Sequence, residues 1–171
     1  MDSQLFDLAV RAGQSLEARG WMLVTAESCT GGWVAEAVTM VSGSSAWFER
    51  GFVTYTDLAK QETLGVQSAT LERHGAVSEA TVREMVTGAL AHARGDVAVA
   101  VSGVAGPTGG TPTKPVGMVC LGWGARGREP ISVTRHFPGD REAVRRSAVI
   151  EALEGVIQLT RAGGDSSAHG S

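Results

Sequence analysis

Two hydrophobic rhythms alternate along the chain, and their order predicts an α/β protein. Leu5, Leu8, Ala9, Ala12 and Leu16 recur at the spacing of one helix face, Gly20 ends that helix, and Trp21 to Thr25 begins a strand. A short amphipathic helix is expected from Trp33 to Val41, and a second strand over Phe52-Val53-Thr54-Tyr55. Asp57 is expected to cap a helix running through Lys60 to Leu64, and Ser68 to cap another ending at His74-Gly75. Ser78, with Glu79 and Thr81, opens a longer helix reaching about Arg94, with Val82, Met85, Val86, Ala89 and Leu90 on one face.

Val97-Ala98-Val99-Ala100-Val101 carries no charge and suits a strand covered on both faces, which places it at the sheet centre. Val116 to Trp123 and Ile131 to Phe137 are strand-like, and the short Gly/Arg-rich link between them predicts a hairpin, so the sheet should be mixed and mainly parallel. Asp140 is expected to cap a last helix from Arg141 to about Leu159, whose apolar face includes Val144, Ala148, Ala152, Leu153 and Val156. With 171 residues, 43% of them hydrophobic, the chain can bury one core and is too short to favour two. Residues 1–162 therefore read as a single domain and residues 163–171 as a flexible tail.

Charge and cysteine usage narrow the function classes. Fifteen basic residues against 18 acidic ones give a net charge of −3, which offers no footprint for a nucleic-acid backbone. Cys29 and Cys120 are the only cysteines and build no disulfide framework, and Met1-Asp2-Ser3-Gln4 does not open a secretory leader. No apolar run approaches the roughly 20 residues needed to span a bilayer. The expectation is a cytoplasmic protein without nucleic-acid or membrane partners, and exposed apolar helix faces are candidate surfaces for a homodimer. His74, His92, His136 and His169 lack ligand spacing, so neither a metal nor another cofactor is expected.

The densest chemistry lies between Trp21 and Lys60. Glu27-Ser28-Cys29-Thr30-Gly31-Gly32 falls between a strand and a helix, where unpaired N–H groups would form an anion or oxyanion site. A second glycine-rich segment, Ser102 to Thr111 followed by Lys114-Pro115-Val116-Gly117, leaves the carboxyl end of the central strand, which favours ligand contact over a plain surface loop. It lacks the Gly-Lys-Ser/Thr ending of a Walker loop, and its prolines forbid an immediate helix. Gly122-Trp123-Gly124-Ala125-Arg126-Gly127 matches a dinucleotide fingerprint by letter, but no helix follows to receive a pyrophosphate.

That leaves the hydroxyls, Tyr55 and Lys60 as the reactive set, without a His–Asp partner for a conventional triad. A Ser/Lys arrangement requires Lys60 to be neutral part of the time, so burial must lower its pKa by several units from about 10.4. Tyr55 could relay a proton or hold the seryl oxygen near the amine. The plainer alternatives are an exposed helix lysine at Lys60, simple capping by Ser28 and Thr30, and a buried small residue at Cys29 in place of a thiolate. Arg141 and Arg145, four apart at the start of the last helix, suit either a surface salt bridge or a ligand phosphate.

At these residues the chain resembles the CinA C-terminal domain family, and within it the stand-alone bacterial nicotinamide-nucleotide amidohydrolases. The stretches that carry the likeness are Ala26 to Gly32, Gly43-Ser44-Ser45 with Tyr55 and Lys60, Gly75-Ala76-Val77-Ser78, Gly103 to Gly110 with Lys114 to Gly117, and Gly139-Asp140-Arg141. The resemblance implies a three-layer α/β/α sandwich and hydrolysis of nicotinamide mononucleotide to nicotinate mononucleotide and ammonia. It further implies Ser45 as nucleophile with Tyr55 and Lys60, Ser28 being the second choice. Cys29, Thr30, Gly31, Gly32, Gly103, Ala105, Gly106, Gly109, Gly110, Arg141 and Arg145 are the implied substrate-binding residues. The N-terminal domain of larger CinA proteins is not matched, so its pyrophosphatase activity is not expected. The competing expectation is a non-catalytic nucleotide-binding regulatory module.

Overall fold

A computed structural model describes residues 1–162; the tail expected over residues 163–171 lies outside the described residues. Six helices, one 3₁₀ turn and five strands follow in the order α1 (Ser3–Glu17), β1 (Leu23–Glu27), α2 (Trp33–Thr39), the turn Ser44–Ala46, β2 (Phe48–Val53), α3 (Asp57–Leu64), α4 (Ser68–His74), α5 (Glu79–Ala91), β3 (Val97–Gly103), β4 (Met118–Ala125), β5 (Ile131–His136) and α6 (Arg141–Ala162). The strands form one sheet in the order β2-β1-β3-β4-β5. Parallel pairing joins β1 to both β2 and β3, whereas β3–β4 and β4–β5 are antiparallel. The sheet is mixed, with β3 at its centre as its unbroken apolar run demands.

Strand alternation sends successive side chains to opposite faces, and the two faces feed separate cores. Leu23, Val97, Val99, Val101 and Leu121 pack with α1, α2 and α6, while Val24, Ala26, Ala98, Ala100 and Cys120 pack with Leu64, Leu71 and the apolar face of α5. The result is an α/β/α sandwich. Gly88 lets two helices of one layer meet closely: a Cβ there would fall 1.8 Å from the Leu64 carbonyl oxygen, so only a residue without one lets α3 lie against α5.

Several boundaries move from the sequence reading. Thr56, not Asp57, caps α3: its hydroxyl accepts from the Ala59 N–H at 3.1 Å, and Asp57 becomes the first helical residue. The cap of α4 is Gln67 and not Ser68, and the Glu84 carboxylate holds the Gln67 N–H at 3.0 Å. Ser78 and Asp140 do cap as expected, accepting from Thr81 N at 3.1 Å and Ala143 N at 2.9 Å. The largest shift is in β2, which runs Phe48–Val53 and leaves Thr54 and Tyr55 beyond its end. As an edge strand exposing Arg50, Gly51 and Val53, it lacks the apolar run that sequence patterns detect.

Candidate active site

Parallel strands deliver their carboxyl ends to one rim of the sheet, and the chain's polar motifs meet there. β1 ends at Glu27, and Ser28 extends its pairing by donating from its backbone N–H to the Val101 carbonyl at 3.0 Å. From the β2 side, Thr54 donates its N–H to the Glu27 carbonyl at 2.8 Å. α3 then turns back over this rim and directs Lys60 inward. The Lys60 side chain is only 1% exposed, and its Nζ lies 3.0 Å from Ser28 Oγ and 2.9 Å from the Thr54 carbonyl oxygen.

Burial pushes the Lys60 pKa below its ordinary value of 10.5, because the charged ammonium loses its hydration; the nearby Asp57 charge opposes the shift only in part. No carboxylate forms an ion pair with it among the described residues. Burial thus makes it easier for this amine to lose its proton while in contact with a serine hydroxyl. Cys29, in contrast, has its thiol pushed up to about 11 by burial and by the Glu27 charge, despite the opposing Arg145 guanidinium. It stays a thiol near neutrality and does not supply a nucleophilic thiolate.

Ser28 and Lys60 open into a cavity of about 210 Å³ lined also by Cys29, Tyr55, Asp57, Ala76, Val77, Ser102, Gly103, Ala105 and Arg141. Ala105 and Arg141 also line a second, larger hollow of about 480 Å³ with Pro107, Val116 and Gly139. The two hollows share Ala105 and Arg141 as a common wall. Arg141 bridges the mouth, donating to the Gly106 carbonyl and to the Tyr55 hydroxyl, each at 2.8 Å.

Not every residue singled out by sequence joins this centre. Ser45 is exposed in the turn Ser44–Ala46, which precedes β2 at the opposite rim, where the neighbouring Trp47 carbonyl accepts from Leu23 N at 2.8 Å. Of the two serines, the hydroxyl facing Lys60 belongs to Ser28, the second choice from sequence, and Ser45 lies away from it. Tyr55 lines the cavity, but its hydroxyl is engaged by Arg141, away from the Ser28–Lys60 contact. A Tyr55 proton relay has no support in these contacts.

The expected anion site at the start of α2 is likewise closed from within. The buried Glu27 carboxylate accepts from Val34 N at 2.8 Å, Ala35 N at 3.0 Å and the Thr30 hydroxyl at 2.6 Å. Thr30 is fully buried in that cap, and Gly31 and Gly32 shape the turn with φ of 62° and 98°. Arg145 clamps the same turn, donating to the Cys29 and Thr30 carbonyls at 3.0 and 3.1 Å while lying over the Trp33 ring. Of the glycine-rich loop, Gly103 and Ala105 reach the cavity wall, Gly106 contributes the carbonyl that holds Arg141, and Gly109 and Gly110 are exposed further out.

Sequence reasoning placed Ser102 at the head of the glycine-rich segment, Ala76 and Val77 in the Gly75 to Ser78 stretch and Asp57 at a helix start without singling them out as wall residues, and it missed the Thr54 carbonyl as an amine anchor. Among the described residues no cluster of three or more His, Cys, Asp or Glu could hold a metal ion, and no helix is long and apolar enough to cross a membrane.

A deep Ser–Lys contact on the carboxyl rim of a five-stranded α/β/α sandwich is the frame in which comparison with known proteins becomes informative. The CinA C-terminal domain model matches residues 5–160, and the chain belongs to that family. Among its relatives is the nicotinamide-nucleotide amidohydrolase PncC of Escherichia coli (strain K12), 54% identical over 157 residues that cover 92% of this chain and 95% of the relative. The protein of the same name from Pseudomonas putida is 55% identical over 152 residues, covering 89% and 94%. Among solved structures, the competence/damage inducible protein CihA from Agrobacterium tumefaciens superposes with a TM-score of 0.88 at 45% identity, covering 91% of this chain and 95% of that one. A CinA superfamily protein from Klebsiella pneumoniae also gives 0.88, at 43% identity and coverage of 92% and 98%.

Proposed function

We infer that the chain is a nicotinamide-nucleotide amidohydrolase, converting nicotinamide mononucleotide and water to nicotinate mononucleotide and ammonia. The observation that carries the chemistry is the contact between the buried Lys60 amine and the Ser28 hydroxyl. The substrate follows from the relatives named for that activity, which share more than half of their residues with it over nearly the whole chain. The two free, buried cysteines support residence in a reducing cytoplasm.

In the proposed course, neutral Lys60 accepts the Ser28 proton as Oγ attacks the carboxamide carbon. The oxyanion that forms needs N–H donors, and the Cys29 and Ala105 amides are the candidates: both residues line the cavity, and neither amide has an acceptor among the described residues. Carbon–nitrogen cleavage releases ammonia and leaves an ester on Ser28, which water hydrolyses with Lys60 again as base. Arg141 sits on the wall shared by both hollows, where its guanidinium can exchange Tyr55 for the ribose phosphate.

A binding-only regulatory module is the less economical reading, because ligand binding does not require desolvating an amine against a serine. Purified protein incubated with nicotinamide mononucleotide should release ammonia stoichiometric with nicotinate mononucleotide. Thermal stabilisation by the nucleotide without ammonia release would favour the module instead.

A further inference from the structure

The pairing at the carboxyl rim places one more hydroxyl beside the nucleophile. β1 and β3 run in register with Ala26 opposite Ala100 and Glu27 opposite Val101, and the Ser28 N–H bond to the Val101 carbonyl extends that register by one step. Ser28 therefore stands opposite Ser102. Paired residues of parallel strands point to the same face, so both hydroxyls emerge on the side of Ala26 and Ala100, where α3 and α5 pack.

Ser102 continues a polar row across the sheet. On β4 it pairs with Cys120, whose sulfur lies 3.6 Å from Thr134 Oγ1 on β5, and Thr134 in turn donates to Glu79 at 2.8 Å. At the other end Ser28 is held by Lys60. Ser28, Cys120 and Thr134 have side-chain partners among the described residues; Ser102, 2% exposed, has none and, unlike the buried Thr54 hydroxyl across from Ser28 on the β2 side, lines the cavity. Its hydroxyl therefore has its donor and acceptor capacity free for water or a ligand in that cavity.

We propose that Ser102 is a catalytic residue that passes a proton from Lys60 to the nitrogen leaving the substrate carboxamide. The proposal rests on the amidohydrolase reading and adds the step that reading leaves open. Lys60 Nζ is fixed between Thr54 and the nucleophile, whereas an amide nitrogen cannot depart as an anion and must be protonated as its bond to carbon breaks. A hydroxyl both donates and accepts, and this one opens onto the cavity that the carboxamide must occupy. In the tetrahedral intermediate the oxyanion pair re-forms C=O and the C–N bond breaks with its electrons going to nitrogen. That nitrogen takes the Ser102 proton while Ser102 Oγ takes one from the Lys60 ammonium. Ser102 ends unchanged, Lys60 ends neutral, and ammonia leaves.

The test compares two leaving groups. Nicotinamide mononucleotide needs a proton delivered to nitrogen; the phenyl ester of nicotinate mononucleotide releases phenoxide, which departs without one. Ser102→Ala should lower kcat for ammonia release by about 10²–10³-fold with KM changed little, and lower phenol release from the ester by under about 5-fold. Ser102→Thr, which restores the hydroxyl, should recover part of the amide rate. Equal losses on amide and ester would make Ser102 a packing residue, and an amide rate within about 3-fold of the unmodified protein would remove it from the reaction. If the unmodified protein releases no ammonia from the mononucleotide, it is the amidohydrolase reading that fails, independently of either Ser102 outcome.

Discussion

Ser28 and Ser45 occupy similar surroundings in the sequence, each in a glycine-containing polar segment upstream of Lys60, yet the fold gives them opposite fates. Ser28 lies where the chain leaves β1, is 7% exposed and touches the Lys60 amine. Ser45 lies where the chain is about to enter β2, exposed in a single 3₁₀ turn. Because β1 and β2 are parallel, leaving one strand and entering the other happen at opposite rims, separated by the strand length of about 3.3 Å per residue. The direction of the chain through the sheet, more than the local composition of either segment, decides which serine meets the lysine.

The sharpest way to break this comparison is to remove each hydroxyl in turn. Ser28→Ala should cost at least about 10⁴-fold in kcat, as loss of a nucleophile does, while Ser45→Ala should stay within about 3-fold of the unmodified protein; steady-state ammonia release reads both. Retention of activity in Ser28→Ala with loss in Ser45→Ala would invert the assignment.

Lys60→Met tests the other half of the contact. Activity should fall by about 10²–10⁴-fold, yet the thermal midpoint should hold or rise, because an apolar chain of similar length removes a buried amine without leaving a charge unpaired. Calorimetry on the same sample separates this from general unfolding. A drop in both would mean that the amine is structural.

Gly88→Ala acts at a distance. Its methyl would collide with the Leu64 carbonyl at the end of α3, so α3 must lift from α5 and carry Lys60 with it. Stability should fall by about 1–3 kcal/mol in denaturant titration, with a parallel loss of kcat. Arg141→Lys should have the smallest effect: KM rises by roughly 10-fold with kcat nearly kept, since an ammonium cannot bridge the Gly106 carbonyl, Tyr55 and a phosphate as a planar guanidinium can.

The sequence foretold most of the architecture because its signals were strong where layers are thick. The Val97 to Val101 run located the sheet centre, and Ser78 and Asp140 located two helix starts. The weak point was β2, whose exposed Arg50 and Gly51 hide an edge strand. Reading that strand as Phe52 to Tyr55 left the segment containing Ser45 free to lie anywhere, so the choice between serines could not be made. Glu27 misled in a different way. Unpaired amides at a helix start are a fair expectation from sequence, but a buried carboxylate seven and eight residues away in sequence fills them here. Ser102 was legible only as the start of the glycine-rich loop, because strand register, which places it beside Ser28, has no local signature.

Lys60 is the hinge of the whole account, and its titration also has a sign. A lysine whose folded pKa lies below its unfolded value contributes full stability above the unfolded value and progressively less as pH falls through the folded one. Native stability, measured against Lys60→Met, should therefore rise with pH up to about 10.5, and kcat/KM should rise over the titration of the amine. The most direct test follows the Lys60 Nζ resonance by NMR across that range, alongside kcat/KM. The account predicts one shared midpoint below 10.5. An amine that titrates at 10.5 like a solvated lysine, while kcat/KM turns at some other pH, would contradict it.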